Sequence, residues 1–452
     1  MSIPDKYKKN ILYKTFHKSR ILYFQILVLL QKIKYIIICY LSNLPSANKI
    51  FLKEKILLEE FGLKNYLYRI NKKLLSLKFI NETKILRKYN ITTKNKIYRI
   101  LIISGCENTP AEIHRIYHLI EKLKLIKIKH TLIPHSKLSS QDPKSLINYD
   151  LIWIHRAASE PVISKMVEIW NLLKIPILYD IDDLVFDPEI IPFISAISNW
   201  SKEKIELYKE TMNRYSNLIK KANFVSSPTN FLSKYMSNYY NKPYFVIRNG
   251  LDTKTINKLN KIKPNIENKH SITIAYFSGT NTHDRDFMKC AKAIFSIMEK
   301  YNNVKLKIIG ELNIPKYFNK FKKRIIKKGL VPYSDLYKEY QNIHINVAPL
   351  ELNNPYCESK SELKYFFAAF CGVPTIASPT DSYIFAIEDS VNGFLAKNQK
   401  EWFEKLEILI LNRNLYYKIS KNCKSHSLNI YSPNIQAKEI QEILLTIKDQ
   451  KI

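Results

Sequence analysis

The sequence predicts an α/β protein: two doubly wound parallel-sheet domains facing a cleft, preceded by a helical, basic N-terminal extension. Three observations carry this. From residue 97, apolar runs of strand length alternate with segments of helical spacing, the mark of a parallel sheet covered on both faces. The alternation pauses near Asn249–Lys263 and restarts at Ser271, so there are two such units. Residues 1–96 differ in composition, with 21 Lys or Arg against 5 Asp or Glu.

In the extension, the apolar stretch Ile21–Leu30 is interrupted by Gln31, Lys32 and Lys34 and resumes at Tyr35–Leu41 before Pro45. Neither part reaches the ~20 residues of a spanning helix. The interruptions fall on different helical faces, so no clean amphipathic helix is written. No small-residue cleavage site follows, which argues against a signal peptide. Three readings stay open: a helical appendage packed on the protein, an interfacial membrane anchor, or a span. The basic flanks Lys14, Lys18, Arg20, Lys49 and Lys53 favour contact with anionic headgroups.

In the first α/β unit, Tyr98–Ser104, Lys127–Ile133, Asp150–His155, Ile175–Asp180, Asn223–Ser226 and Tyr244–Arg248 read as strands. Glu112–Lys124, Val162–Leu173, Lys202–Lys221 and Asn230–Met236 read as helices. In the second, strands are expected at Ser271–Phe277, Lys305–Ile309, His344–Val347 and Thr375–Ala377. Helices are expected at Phe287–Tyr301, Tyr333–Tyr340, Ser361–Phe370 and from Lys400 onward. The implied organisation is 1–96 extension, 97–248 and 249–425 as the two α/β domains, and 426–452 as a C-terminal helix crossing back to the first. A ligand cleft belongs at the carboxyl ends of both sheets.

Composition narrows the function. The 452 residues carry a formal charge of +32, which directs the protein to acidic surroundings: nucleic acid, anionic lipid or phosphorylated substrates. No nucleic-acid-binding motif is present, and the charge concentrates beside apolar runs, so nucleic acid is not expected as a partner. Six cysteines without a C-x-x-C pair indicate neither a zinc site nor a disulfide framework, and fit a reducing cytosol.

Only eight glycines occur, where the usual ~7% would give roughly thirty. Those that remain mark positions the backbone requires. Gly105 follows the first strand of the first unit, and Gly279 follows the first strand of the second. After Gly279, Thr280 to Arg285 lead into a helix, offering N–H groups, hydroxyls and a cation to a phosphate. The loop is neither a P-loop nor a G-x-G-x-x-G fingerprint. Further on, Lys360 and Lys364 stand one helical turn apart near a helix start, behind Val347–Leu350 and ahead of Gly372-Val373-Pro374. Glu362 between them reads as part of a solvated face.

The order of these pieces resembles family 4 glycosyltransferases of the GT-B fold, with its two Rossmann-like domains, and in particular members that build bacterial cell-surface polysaccharides. The stretches concerned are Arg99–Gly105, Tyr149–Asp187 ending in YDIDDLVFD, Ile247–Asp252, Ile274–Phe287 and Leu330–Val391. The resemblance implies that Gly279, Thr280 and Arg285 hold the donor pyrophosphate together with Lys360, Ser361, Lys364 and Leu350. It also implies that His155 faces the transferred sugar, with Glu358 beside it. His155, Arg285, Lys364 and Glu358 would be the catalytic set. Gly105, Arg115, Arg156, Asp180, Asp182 and Asp183 would lie on the acceptor side, Arg115 reaching an acidic acceptor. The three aspartates could bind a divalent cation, but the resemblance argues for a metal-independent reaction without cofactor.

One position departs from the family pattern: Phe367 stands where the second glutamate of Glu-x7-Glu would bind the ribose hydroxyls, and Ser359 where the first would be. The expected function is transfer of a sugar from a nucleotide diphosphate sugar to an envelope glycan or lipid-linked saccharide, with retention, on the cytoplasmic inner face of the plasma membrane. The alternative is a non-catalytic GT-B-like protein that binds glycan or a partner.

Overall fold

The structure, a computed structural model, describes Ser76, Phe79, Ile80, Thr83 and residues 99–262, 271–279 and 284–450. The membrane readings of residues 21–41 lie outside the described residues, as does Thr280. No helix among the described residues is long and apolar enough to cross a membrane.

Among the described residues, two six-stranded sheets form, every pairing in them parallel. The first contains β1 (Arg99–Ser104), β2 (Lys129–Pro134), β3 (Leu151–His155), β4 (Ile177–Asp180), β5 (Phe224–Ser227) and β6 (Tyr244–Val246), in the order β2-β1-β3-β4-β5-β6. Its crossovers include α1 (His118–Leu125), α2 (Pro161–Leu172), α3 (Lys202–Lys221) and α4 (Asn230–Tyr240). α5 (Thr253–Asn260) lies at the junction.

The second contains β7 (Ile272–Gly279), β8 (Val304–Gly310), β9 (Ile325–Lys328), β10 (Ile345–Ala348), β11 (Thr375–Ala377) and β12 (Phe394–Leu395). Read from its far edge it runs β9-β8-β7-β10-β11-β12, the strand order of a dinucleotide-binding sheet. Its helices include α6 (Asp284–Lys300), α7 (Leu363–Phe370), α8 (Asp381–Ala386) and α9 (Gln399–Leu411). α10 (Arg413–Tyr431) and α11 (Pro433–Asp449) close the chain.

Both faces of each sheet are covered, as continuous apolar strands require. In β1, Leu101 and Ile103 join one buried cluster with Trp170 of α2, while Ile100 and Ile102 join another with Leu123 of α1 and Ile440, Leu444 and Ile447 of α11. Several helices start where the sequence supplies a cap. Ser201 accepts from Lys204 N, Thr229 from Leu232 N, and Asp252 from Thr255 N.

Strands β9 and β12 escape the sequence reading. Residues 325–328 are IIKK, half lysine, and sit at the sheet edge, where charge blocks further pairing. β12 spans two residues. The expected helix Tyr333–Tyr340 is a helical turn at Tyr333–Leu336 followed by a 3-10 turn, and Ser361 and Glu362 precede α7 rather than belonging to it.

Candidate functional site

In each sheet the strand order reverses direction beside its first strand, between β1 and β3 and between β7 and β10. Ligands of open α/β sheets bind outside the carboxyl ends at that reversal. Gly105 and His155 end the strands at the first point. Gly279 and the Ala348–Leu350 segment end them at the second.

At the first point the backbone is tight. Gly105 N donates to His155 O at 2.8 Å, and a Cβ on Gly105 would come 2.2 Å from Arg156 O. Only glycine lets these strand ends approach so closely. Arg156 itself has φ +45°, an uncommon conformation for a residue with a Cβ. It aims Nη1 at Asp182 Oδ1 (2.9 Å) and Asp183 Oδ2 (3.1 Å), and these carboxylates hold its guanidinium charged.

Asp183 is bonded from the second sheet as well. Lys360 Nζ lies 2.6 Å from Asp183 Oδ1 and 4.1 Å from the centre of the Tyr356 ring. Burial alone would raise the Asp183 pKa, but Lys360 and Arg156 hold it well below the usual carboxylate range. Further bonds join the two halves. Asn249 Nδ2 donates to Ser361 Oγ at 2.9 Å, Phe231 N to Asp381 Oδ2 at 2.9 Å, and Asn354 Nδ2 to Phe193 O at 3.0 Å.

On the second side, Gly279 has φ +75° and is exposed at the end of β7. Its carbonyl accepts from Glu311 N at 2.8 Å, and a Cβ on Gly310 would come 2.4 Å from that oxygen. Arg285 is exposed in the first turn of α6. Lys364, in the first turn of α7, lies 5.0 Å from the Tyr276 ring centre. Burial and the nearby Lys360 lower its pKa, while Asp286 opposes them. Leu350 is buried, its N–H held by Ser378 Oγ at 2.9 Å.

Several expected roles need correction. His155 is closed to solvent: it is 0% exposed, with Nδ1 3.0 Å from Asp180 Oδ2 and its carbonyl taken by Gly105. Burial would lower its pKa, yet hydrogen bonding to Asp180 raises it to about 9. Asp180 is also fully buried and accepts from Arg115, His155 and Ser226. Arg115 cannot reach an acceptor, because its guanidinium is consumed by Asp180, Ile247 O and Asn249 Oδ1. It lies in a π-helical turn, Ile113–Tyr117, ahead of α1.

Glu362 is 1% exposed rather than solvated. Its Oε1 accepts from Tyr431 at 2.9 Å and lies 3.3 Å from Arg248 Nη1. Glu358 is half-buried, its Oε2 accepting from Asp381 N at the start of α8 (2.9 Å), which places it as a helix cap.

Phe367 is buried in an aromatic cluster that sequence reasoning did not foresee. It stacks at 13° on Tyr340 and meets Tyr333 and His114 edge-on, with centroids 6.1 Å apart in each case. His114 comes from the first half and the other rings from the second. Single spacing cannot reveal such a cluster, because its members are brought together by three separate segments.

Two doubly wound parallel sheets whose carboxyl edges share this charged seam constitute the GT-B fold. Residues 273–412 match the family model described as Glycosyl transferases group 1. Among solved structures, the chain is similar to HepE of Anabaena in complex with UDP, at 14% identity, covering 77% of this chain and 100% of that one, with a TM-score of 0.52. It is also similar to sucrose-phosphate synthase from Thermosynechococcus elongatus (12% identity, 77% and 98% covered, TM-score 0.53) and to a glycosyltransferase from Rickettsia africae (15%, 78% and 100%, 0.52). At such identities the likeness is one of fold. No curated protein matches the sequence.

Proposed function

We propose that the protein is a glycosyltransferase moving a sugar from a nucleotide diphosphate sugar to an envelope glycan or lipid-linked saccharide, with retention and without an essential metal. The observation that carries this is the placement of Lys360, Lys364, Arg285 and the positive-φ Gly279 at the carboxyl edge of the sheet matched by the glycosyltransferase family model. Those cations and the start of α6 would neutralise a leaving diphosphate. Lys360 would exchange Asp183 for a phosphate oxygen, freeing Asp182 and Asp183 to accept hydrogen bonds from acceptor hydroxyls. A phosphate oxygen on the departing group would take the acceptor's proton on the face it leaves, so no dedicated base is needed. His155 serves here as a positioning residue, holding the end of β3 through Asp180.

The protein would work from the cytoplasm, held peripherally at the inner membrane face by the basic residues of 1–96. The experiment is a screen of the full-length protein against UDP, GDP, CMP and dTDP and their common sugars, read by ligand-observed NMR. It is followed by transfer to lipid-linked acceptors with and without EDTA. Selective binding of one diphosphate and EDTA-resistant transfer are expected; loss of turnover in EDTA overturns metal independence.

A second reading, a non-catalytic GT-B-like binding protein, is favoured by the Phe367 cluster, which offers no carboxylate to a ribose. Absence of nucleotide binding by folded protein across the panel selects it.

A further inference from the structure

The outer rim of the second sheet carries a surface the cleft does not use. Residues 312–334 hold 7 Lys or Arg and no Asp or Glu, whereas 72 basic and 40 acidic residues in 452 would give about four and about two in such a stretch. The segment forms the 3-10 stretch Lys316–Arg324 and then β9, the edge strand. Its inner side is fixed. Phe318 and Phe321 are buried against Phe295 of α6, and Arg324 donates to Met298 O, Tyr301 O and Val304 O. On the outer side Lys316, Tyr317, Lys320, Lys322 and Lys323 turn to solvent.

We infer that this rim docks on a bilayer surface of anionic lipid, a second contact beside the one proposed for residues 1–96; the inference rests on the peripheral placement proposed there. Such a surface needs cations for the headgroup phosphates and apolar groups for the acyl boundary. Lys316, Lys322 and Lys323 make no ion pair among the described residues. Lys320 meets Glu299 at 2.6 Å, but both side chains are well exposed, so a lipid phosphate can replace the carboxylate at little cost. Lys328 shares Glu339 with Lys307, and its charge is largely spent. The apolar groups are Tyr317, Ile326 and Leu330, which are 38%, 45% and 59% exposed. Successive residues of a strand face opposite sides. Ile325 packs on the α6 side with Phe295 and Phe321, so Ile326 faces the other. A flat surface meeting the sheet edge-on is the approach that reaches both Tyr317 and Ile326.

Protection of an exposed edge accounts for lysines within β9. It does not account for those of the 3-10 stretch, nor for exposed Ile326 and Leu330, which favour association rather than prevent it. A nucleic acid would take the cations and stack on Tyr317, leaving the two aliphatic side chains without a partner. Lipid satisfies both. Because β7, β8 and β9 are parallel, Leu330 follows β9 at the same carboxyl edge that carries Gly279. Docking here would hold the cleft beside the bilayer from which a lipid-linked acceptor would come.

The test floats the full-length protein with vesicles of phosphatidylcholine, and of phosphatidylcholine and phosphatidylglycerol in equal parts, beside the double variant Lys322→Glu/Lys323→Glu. Neither lysine has an ion pair to lose among the described residues, so an unchanged melting temperature is expected. Partition onto the anionic vesicles should fall at least about tenfold in the variant. In the unaltered protein, amide hydrogen exchange across 325–331 should slow when those vesicles are added. Equal partition of the two proteins, or unchanged exchange at 325–331, overturns the inference while leaving the contact through residues 1–96 standing. Failure of the unaltered protein to float with either vesicle overturns both. Displacement from the anionic vesicles by polyuridylate at equal phosphate concentration overturns it in favour of a nucleic-acid partner. The exchange measurement needs no variant, so a misfolded double variant cannot mask the result.

Discussion

Arg115 and Asp180, 65 positions apart, are joined by Nε to Oδ2 at 3.0 Å and by Nη2 to the other carboxylate oxygen, with both side chains buried. Asp180 also holds His155 and Ser226, and Arg115 also holds Ile247 O and Asn249. This one pair therefore ties the ends of β3, β4 and β5 to the junction between the sheets. Removing one member leaves the other charge buried and unpaired. Asp180→Asn is expected to cost about 3–5 kcal/mol in urea unfolding; a loss below about 1 kcal/mol would mean that the network is not holding the strand ends.

Lys360 and Asp183 make a different kind of contact. Both side chains are about a fifth exposed, so their contribution to stability is small. The proposed donor role of Lys360 is therefore separable from folding. Lys360→Ala should leave the melting temperature within about 2 °C while lowering kcat about 100-fold or more on an identified donor. Unchanged kcat would remove Lys360 from the donor site.

The Phe367 ring is packed on Tyr340 and against Tyr333 and His114. Truncation there opens a cavity between the halves. Phe367→Ala should cost about 3–4 kcal/mol, and Phe367→Leu distinctly less. Equal costs would indicate that refilling the apolar volume recovers nothing without an aromatic ring, so that the stacking and not the volume holds the site.

The fold was legible because continuous apolar strands such as RILIIS and LIWIH can only be buried on both faces, and because scarce glycines mark strand ends. What escaped was pairing across distance. Arg115 lies in a helical turn whose partner is 65 residues away, and nothing in HRIY distinguishes a buried guanidinium from a ligand-facing one. Glu362 looked solvated because its neighbours are lysine and serine, yet Tyr431 and Arg248 enclose it. The Arg156 and Asp182 contact joins the ends of neighbouring strands β3 and β4, a relation within reach of topology once the order of strands is known. The short edge strand IIKK reads as a charged loop because edges are built to resist pairing.

Lys122 and His155 titrate with opposite signs. Lys122 is 3% exposed, and burial, followed by the Arg115 charge, lowers its pKa to about 7. Between pH 7 and ~10.4 the unfolded chain holds that proton and the folded one does not, so this group makes stability rise with pH. His155, raised to about 9, contributes stability that is fully present below ~6.5 and lost as pH climbs through 9. From pH 7 to 9 each contributes a slope of about 1.4 kcal/mol per pH unit, one rising and one falling. Their sum is nearly flat. Lys122→Met removes the rising limb and relieves a buried cation, so at pH 7 its melting temperature should increase by about 2–4 °C. Its stability should then fall steeply between pH 7 and 9, an alkaline limb the unaltered protein hides. Urea titrations of both proteins at pH 6, 7.5 and 9 decide the matter: parallel profiles would show that Lys122 and His155 are not the two groups in balance.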